Sequence, residues 1–143
     1  RQKRENGLRE DEISFTDNNG KKYEYLATRG VSFEDYLEKV FAFCGTHSLE
    51  KQLRKVVDMK NMQAGDVLVK GGFPGHAAIV VDMAVHSNGK KIYLLAQSYM
   101  PAQDIHILRN PQSNSLSPWY EIDDKPLITT PEWIFKPGHL RKW

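Results

Sequence analysis

The chain has 143 residues, of which 40% are apolar, a formal net charge of +2 and a single cysteine. This length and composition are typical of one globular domain that buries a core without disulfides, and they exclude wholesale disorder. The small, interspersed charge gives no argument for binding nucleic acid or an anionic membrane surface, and no apolar run approaches the roughly 20 residues of a membrane span.

The first segment of the chain is rich in charge. Residues 1–12 hold a single apolar side chain, Leu8, so we expect an exposed leader. Because the chain begins with Arg1 rather than Met, we expect it to be the C-terminal portion of a longer protein, with any export signal upstream. Strands are predicted at 13–16 and 22–27, on either side of the turn sequence 17–20.

The strongest helix signal begins at Ser32, which is a suitable N-cap. Apolar residues then recur at three- and four-residue steps, namely Phe33, Tyr36, Leu37, Val40, Phe41 and Cys44. This spacing predicts one amphipathic helix, and Gly45 is expected to end it. Cys44 would then lie at a helix C-terminus among apolar neighbours, where the pKa of a thiol is raised. We therefore expect a buried, inert cysteine.

The central part of the chain predicts an antiparallel sheet. After a short second helix around Leu49, Leu53 and Val56, the apolar period changes to two, which indicates strands at 66–70, 76–84 and 91–98, with a further strand at 104–108. The remaining residues are expected to wrap around the core, held by Trp119, Tyr120, Trp133 and Phe135. The fold class predicted is α+β, with a helix packed against an antiparallel sheet.

His76 is the main candidate functional residue. It begins a strand directly after a glycine-containing loop, a position from which an imidazole reaches solvent on a rigid backbone, as a general base requires. A four-residue turn at 86–89 would set Tyr99 opposite His76, with Gln97 one diagonal step away and able to orient the imidazole. The alternative is that His76 is structural and that Gln97 satisfies a buried backbone group.

Other candidates are weaker. Ser32 can serve as a nucleophile activated by His76, although its role as N-cap explains it equally well. Asp104 and His106 stand two apart on one strand, but the sequence offers no third ligand at a useful spacing, so no metal site is predicted. Trp119 is a candidate binding residue, because its ring can stack on a sugar or peptide. The other candidate binding residues are Tyr99, Gln103, Asp104 and His106.

The order of a helix, a Gly-Asp strand (65–70), a Gly-His strand (75–84) and a polar residue on the return strand resembles NlpC-type and CHAP-type cell-wall peptidases. The resemblance implies a papain-like fold, with His76 as base and Gln97 as the residue that orients it. It also implies a nucleophilic cysteine near Ser32 or Phe33, where this sequence has none.

A second resemblance covers nearly the whole chain. The stretches 71–84, 95–106, 117–120 and 130–133 are similar to a family of Bacteroides-like bacteria defined only as a domain of unknown function, DUF4846. It implies that an N-terminal portion precedes this chain, and it implies no activity.

Two functional hypotheses follow. In the first, the chain is a degenerate papain-like domain of the cell envelope or periplasm that binds a peptidoglycan fragment or peptide without cleaving it. In the second, it is an active cell-wall hydrolase or amidase that uses His76 with an unidentified nucleophile. We expect no cofactor in either case, and the missing helix-start cysteine favours the first.

Overall fold

The structure is a computed structural model that describes residues 3–5, 8–10, 12–17, 19–26 and 32–143. Within these ranges the α-helices are α1 (Phe33–Phe43) and α2 (Thr46–Gln52). The strands are β1 (Lys3–Glu5), β2 (Leu8–Glu10), β3 (Glu12–Thr16), β4 (Lys22–Leu26), β5 (Arg54–Lys55), β6 (Val67–Lys70), β7 (His76–Val85), β8 (Lys91–Gln97), β9 (His106–Ile107), β10 (Tyr120–Glu121), β11 (Ile128–Thr129), β12 (Ile134–Phe135) and β13 (Leu140–Lys142). The fold is mostly antiparallel β-sheet with short helices.

One seven-stranded sheet forms the centre of the molecule. Its strands follow the order β10-β8-β7-β6-β13-β5, and β9 also pairs with β8. The C-terminal segment, which the sequence predicts as a wrapping coil, therefore supplies β10 and β13 to this sheet. It also forms the small β11–β12 pair, in which Ile128 lies opposite Phe135.

The β7–β8 hairpin reaches the predicted pairing by a different route. Val85 pairs with Lys91, so the turn has five residues rather than four, which by itself would reverse the face of every β8 side chain. A bulge between Val80 and Asp82 adds one residue to β7 and restores the alternation, so Val80 pairs with Leu95. The two shifts cancel before the strand reaches His76.

The two faces of the central sheet bury different clusters. The larger cluster lies on one face of β6 and β7, where Leu68, Ala78 and Val80 pack with Phe135 and Leu140 from the C-terminal segment. On the other face, Val67 and Val69 pack with Leu53, and Leu49 joins them from α2. His76 shares the parity of Ala78 and Val80, so it belongs to the face that the C-terminal segment covers.

The first predicted helix forms and begins after Ser32 as predicted, but its apolar stripe differs from expectation. Ser32 caps α1: its Oγ accepts a hydrogen bond from Asp35 N (3.1 Å) and its N–H donates to Asp35 Oδ2 (3.2 Å). Phe41 is 76% exposed and so lies outside the core. The side chains of Phe33, Tyr36 and Val40 lie outside the described residues.

The predicted role of Gly45 is wrong. Gly45 has an extended backbone and is the N-cap of α2, where its carbonyl accepts from Leu49 N (3.0 Å). The chain therefore ends one helix and starts another within two residues. Because Leu49 and Leu53 of this second segment contact the sheet, the helix that packs on the sheet next to the 71–75 loop is α2.

Near the N-terminus, β1 and β2 pair within the segment predicted as a leader, and β3 and β4 form the predicted hairpin. Asp17 stabilises the turn between β3 and β4, because its Oδ1 accepts from Asn19 N (2.9 Å) and Lys21 N (2.8 Å). In the part of the chain that the structure describes, no helix is long and apolar enough to cross a membrane.

Gly75 lies where α2 meets the start of β7, and we expect that Gly75→Ala destabilises the fold. A Cβ at this position would overlap Thr46 Oγ1 and would lie 2.7 Å from the carbonyl oxygen of Gly72 and 2.8 Å from that of Lys70. The backbone oxygens cannot move away easily, so the free energy of unfolding in urea should fall by about 1–3 kcal/mol. Gly138→Ala is the control, because its nearest neighbour is 3.9 Å away, and it should change that free energy by less than about 0.5 kcal/mol. Equal effects of the two substitutions would contradict the packing.

Stability should also fall at alkaline pH because of Tyr93. Burial, and next the neighbouring Tyr120, raise the pKa of the Tyr93 hydroxyl well above its usual 10.0. Since the native state then retains a proton that the unfolded state releases, the stabilisation is complete below pH 10 and is lost as the pH rises above it. We expect the free energy of unfolding to decrease above this pH by about 1.4 kcal/mol per pH unit from this group. Tyr93→Phe should flatten the dependence, and an unchanged slope in this variant would refute the assignment.

Candidate functional site

His76 opens β7 at the end of the sheet where the 71–75 loop enters. It pairs with Lys70 of β6, and its side chain lies on the face covered by the C-terminal segment. The residue is half-buried. The strand fixes its backbone, and its side chain lines a cleft together with the last residues of the loop before it.

A hydrogen-bonded chain of three side chains starts at this imidazole. His76 Nε2 lies 2.6 Å from Gln97 Oε1, and Gln97 Nε2 donates to Glu132 Oε2 at 2.8 Å. Gln97 is 3% exposed, whereas Glu132 is on the surface. The chain therefore connects the half-buried imidazole through a buried amide to a carboxylate that solvent reaches.

Aromatic rings surround His76 on its other sides. The ring of Tyr99 meets it edge-on with centroids 5.3 Å apart, Trp133 lies at 5.3 Å with a tilt of 38°, and Phe135 stacks at 6.0 Å. Lys70 Nζ lies 5.4 Å from the centre of the Trp133 ring, within the range of a cation–π contact. These contacts fix the orientation of the imidazole and shield its bond to Gln97 from water.

A cleft of about 680 Å³ opens beside this cluster. Its lining residues come from the end of the 71–75 loop, the start of β7, the residues after β8 and the C-terminal segment: Pro74, Gly75, His76, Ser98, Tyr99, Met100, Ala102, Gln103 and Trp133. This size is within the range of pockets for small organic ligands. The mixture of aromatic, thioether and amide groups is suited to a ligand with both apolar and hydrogen-bonding parts.

The structure brings together His76, Gln97, Tyr99 and Gln103 from the predicted set. Ser32 is exposed at the start of α1 and does not line the cleft, so its contacts are those of a helix cap. Asp104 and His106 are exposed beyond the cleft, where His106 Nδ1 bonds the carbonyl of Asp104 (2.9 Å). Trp119 is half-buried away from the cleft, and its carbonyl accepts from Asn110 Nδ2 (2.8 Å).

Metal binding receives no support from the geometry. Among the described residues, no three His, Cys, Asp or Glu side chains converge on one point. Asp104 and His106 contact each other through a backbone oxygen only.

Cys44 lies at the C-terminal end of the first helix, as the sequence predicts, but it is less buried than expected. It follows α1 and stands one residue before the N-cap of α2, and it is half-buried rather than fully buried. Burial raises the pKa of this thiol, and the charge of Asp17 raises it by a smaller amount. Cys44 is not among the residues that line the cleft.

Several residues of the site escaped the sequence prediction, among them Glu132, Lys70, Met100, and Trp133 as a contact of His76. Local patterns cannot pair Glu132 and Trp133 with His76, because these residues reach it through strand order rather than through spacing along the chain. Lys70 lies opposite His76 across the 71–75 loop, so the spacing of the two predicted strands was a signal that could have placed it there. Glu132 and Trp133 do fall within the stretch 130–133 that carries the resemblance to DUF4846, which was the available signal.

The comparisons with known proteins bear on this site. The profile of a family described as a domain of unknown function, DUF4846, matches residues 5–142. The chain belongs to this family. The match includes the whole cleft, with His76, Gln97 and Glu132. No curated protein and no solved structure matches the chain significantly. The resemblance to NlpC-type and CHAP-type peptidases stays a prediction.

We expect Cys44 to react slowly with iodoacetamide at neutral pH, because only the thiolate is nucleophilic and the raised pKa keeps its fraction low. The rate should rise with pH, and at neutral pH it should be several-fold below that of an unfolded cysteine peptide. His76→Ala should leave the rate unchanged. Rapid alkylation that this variant slows would show instead that the imidazole activates Cys44.

Proposed function

We propose that this domain binds a peptidoglycan-derived peptide or glycan in the cleft beside His76 and does not cleave it. The observation that carries the proposal is the composition of the cleft: an oriented imidazole and aromatic rings line it, and no thiol does among the described residues. The hydroxyls that line it belong to Ser98 and Tyr99, and in that part of the chain neither is hydrogen-bonded to His76. Covalent catalysis needs a nucleophile in contact with its base.

The chemistry of the lining agrees with such a ligand. Tyr99 and Trp133 offer ring faces and edges for the apolar side of a sugar or for a peptide side chain. Met100, which is 83% exposed, adds an adaptable apolar surface at the mouth. Gln103 and His76 supply hydrogen-bonding groups that fix orientation. The order of strands that resembles the NlpC-type and CHAP-type peptidases supports a papain-like ancestry and a location in the cell envelope.

A second candidate function is hydrolysis with Cys44 as nucleophile and His76 as base. One observation favours it: Thr46, two residues after Cys44, contacts Gly75, the neighbour of His76. The start of α2 thus lies beside the strand that carries the base. Against it, α2 packs through Leu49 on the face of the sheet opposite His76, and the pKa of Cys44 is raised rather than lowered.

The experiment that separates the two functions measures binding and turnover together. The protein is titrated with purified muropeptides, disaccharide peptides and the corresponding free stem peptides by calorimetry, and each mixture is analysed for new products by mass spectrometry. We expect binding to at least one class without product. Tyr99→Ala and Met100→Ala should weaken it by about tenfold or less each, as for contact residues of moderate energy.

Controls decide the remaining outcomes. His86→Ala, a histidine in the β7–β8 turn, should bind as the wild type does. Product formation that Cys44→Ala or His76→Ala abolishes would establish the hydrolase instead. The absence of both binding and products with every fragment would reject the cell-wall ligand.

A further inference from the structure

We infer that Glu132 is a positioning residue that fixes, through Gln97, which nitrogen of His76 carries the proton. The consequence is that the group a ligand places against Nδ1 of His76 is a hydrogen-bond donor, such as a hydroxyl or an amide N–H. The ligand part of this inference rests on the proposed binding function, whereas the proton position is a property of the free protein.

Glu132 determines the orientation of the Gln97 amide. A side-chain amide has one end that donates and one that accepts, and the two ends are exchanged by a half-turn of the group. An ionised carboxylate only accepts. Because Glu132 Oε2 lies 2.8 Å from the amide, the NH₂ end must face Glu132. The opposite orientation would place two oxygens against each other.

The orientation of the Gln97 amide determines which nitrogen of the His76 imidazole carries the proton. With the NH₂ end toward Glu132, Gln97 presents Oε1 to His76 Nε2 at 2.6 Å. An oxygen accepts only from a protonated nitrogen, so neutral His76 carries its proton on Nε2. Nδ1 is then the basic, accepting nitrogen. Within the described part of the chain it has no hydrogen-bond partner, and His76 lines the cleft.

The hydrogen bond between Gln97 and Glu132 is strong enough to hold this orientation. A hydrogen bond to a charged acceptor is about twice as strong as one between neutral groups, and Gln97 is buried, where competing water is excluded. Glu132 itself is exposed, so it can be replaced without opening a cavity in the core. The carboxylate thus biases the imidazole from the surface, through one buried residue.

The test is the nitrogen-15 NMR spectrum of His76 in the uniformly labelled free protein at alkaline pH, where the two ring nitrogens of a neutral imidazole are distinguished by their shifts and their couplings to ring protons. We expect the form with the proton on Nε2 to dominate in the wild type. Glu132→Gln, which keeps the shape but permits both amide orientations, should lower the ratio of the two forms on the order of tenfold. Glu132→Ala should lower it at least as far.

Asp124→Asn is the matched control, because it removes an exposed carboxylate that does not line the cleft, and it should leave the ratio unchanged. Dominance of the form with the proton on Nδ1 in the wild type would overturn the inference. A ratio that stays at the wild-type value in both Glu132 variants, with native circular dichroism, would overturn it as well. Muropeptide added to the labelled wild type should move the Nδ1 resonance toward the shift of a hydrogen-bonded acceptor. A correct tautomer with no binding would count against the proposed function and leave the role of Glu132 intact.

Discussion

The buried amide of Gln97 connects three parts of the chain that are far apart in sequence: β7 through His76, β8 through its own backbone, and the C-terminal segment through Glu132. At 3% exposure, an unpaired amide would incur a desolvation cost of about 1–3 kcal/mol. Both ends of the group find partners, so the geometry of the site is a condition for a stable core. The rings of Trp133 and Phe135 complete the enclosure.

Much of the framework follows from local sequence. The Ser32 cap, the hairpin around Asp17 and the three central strands appear within a few residues of their predicted positions, because capping, turn chemistry and two-residue alternation are short-range effects. The meeting of His76 with Gln97 also follows from alternation along paired strands. That prediction assumes a four-residue turn, whereas the chain uses five residues and a bulge.

The rest depended on contacts that local patterns do not encode. Glycine is common at helix ends, so the sequence predicts that Gly45 ends a helix, but the same residue serves as an N-cap when a second helix follows at once. The C-terminal segment lacks a long alternating run, so its short strands were missed. They form because β6 and β8 offer unpaired backbone edges to them. The same segment brings Glu132 to Gln97 and Trp133 to the ring of His76.

The bulge at Val81 ties the length of the β7–β8 turn to the sheet face on which Gln97 lies. Turn lengths change readily among related proteins, since turns lie at the surface. Here, a turn between β7 and β8 that lost one residue while the bulge persisted would rotate Gln97 to the sheet face that α2 covers, and His76 would lose its partner. Loss of the bulge alone would do the same. Relatives that retain the His–Gln contact should therefore show correlated insertions and deletions at the turn and at the bulge. The number of turn residues plus bulge residues should stay even in each of them.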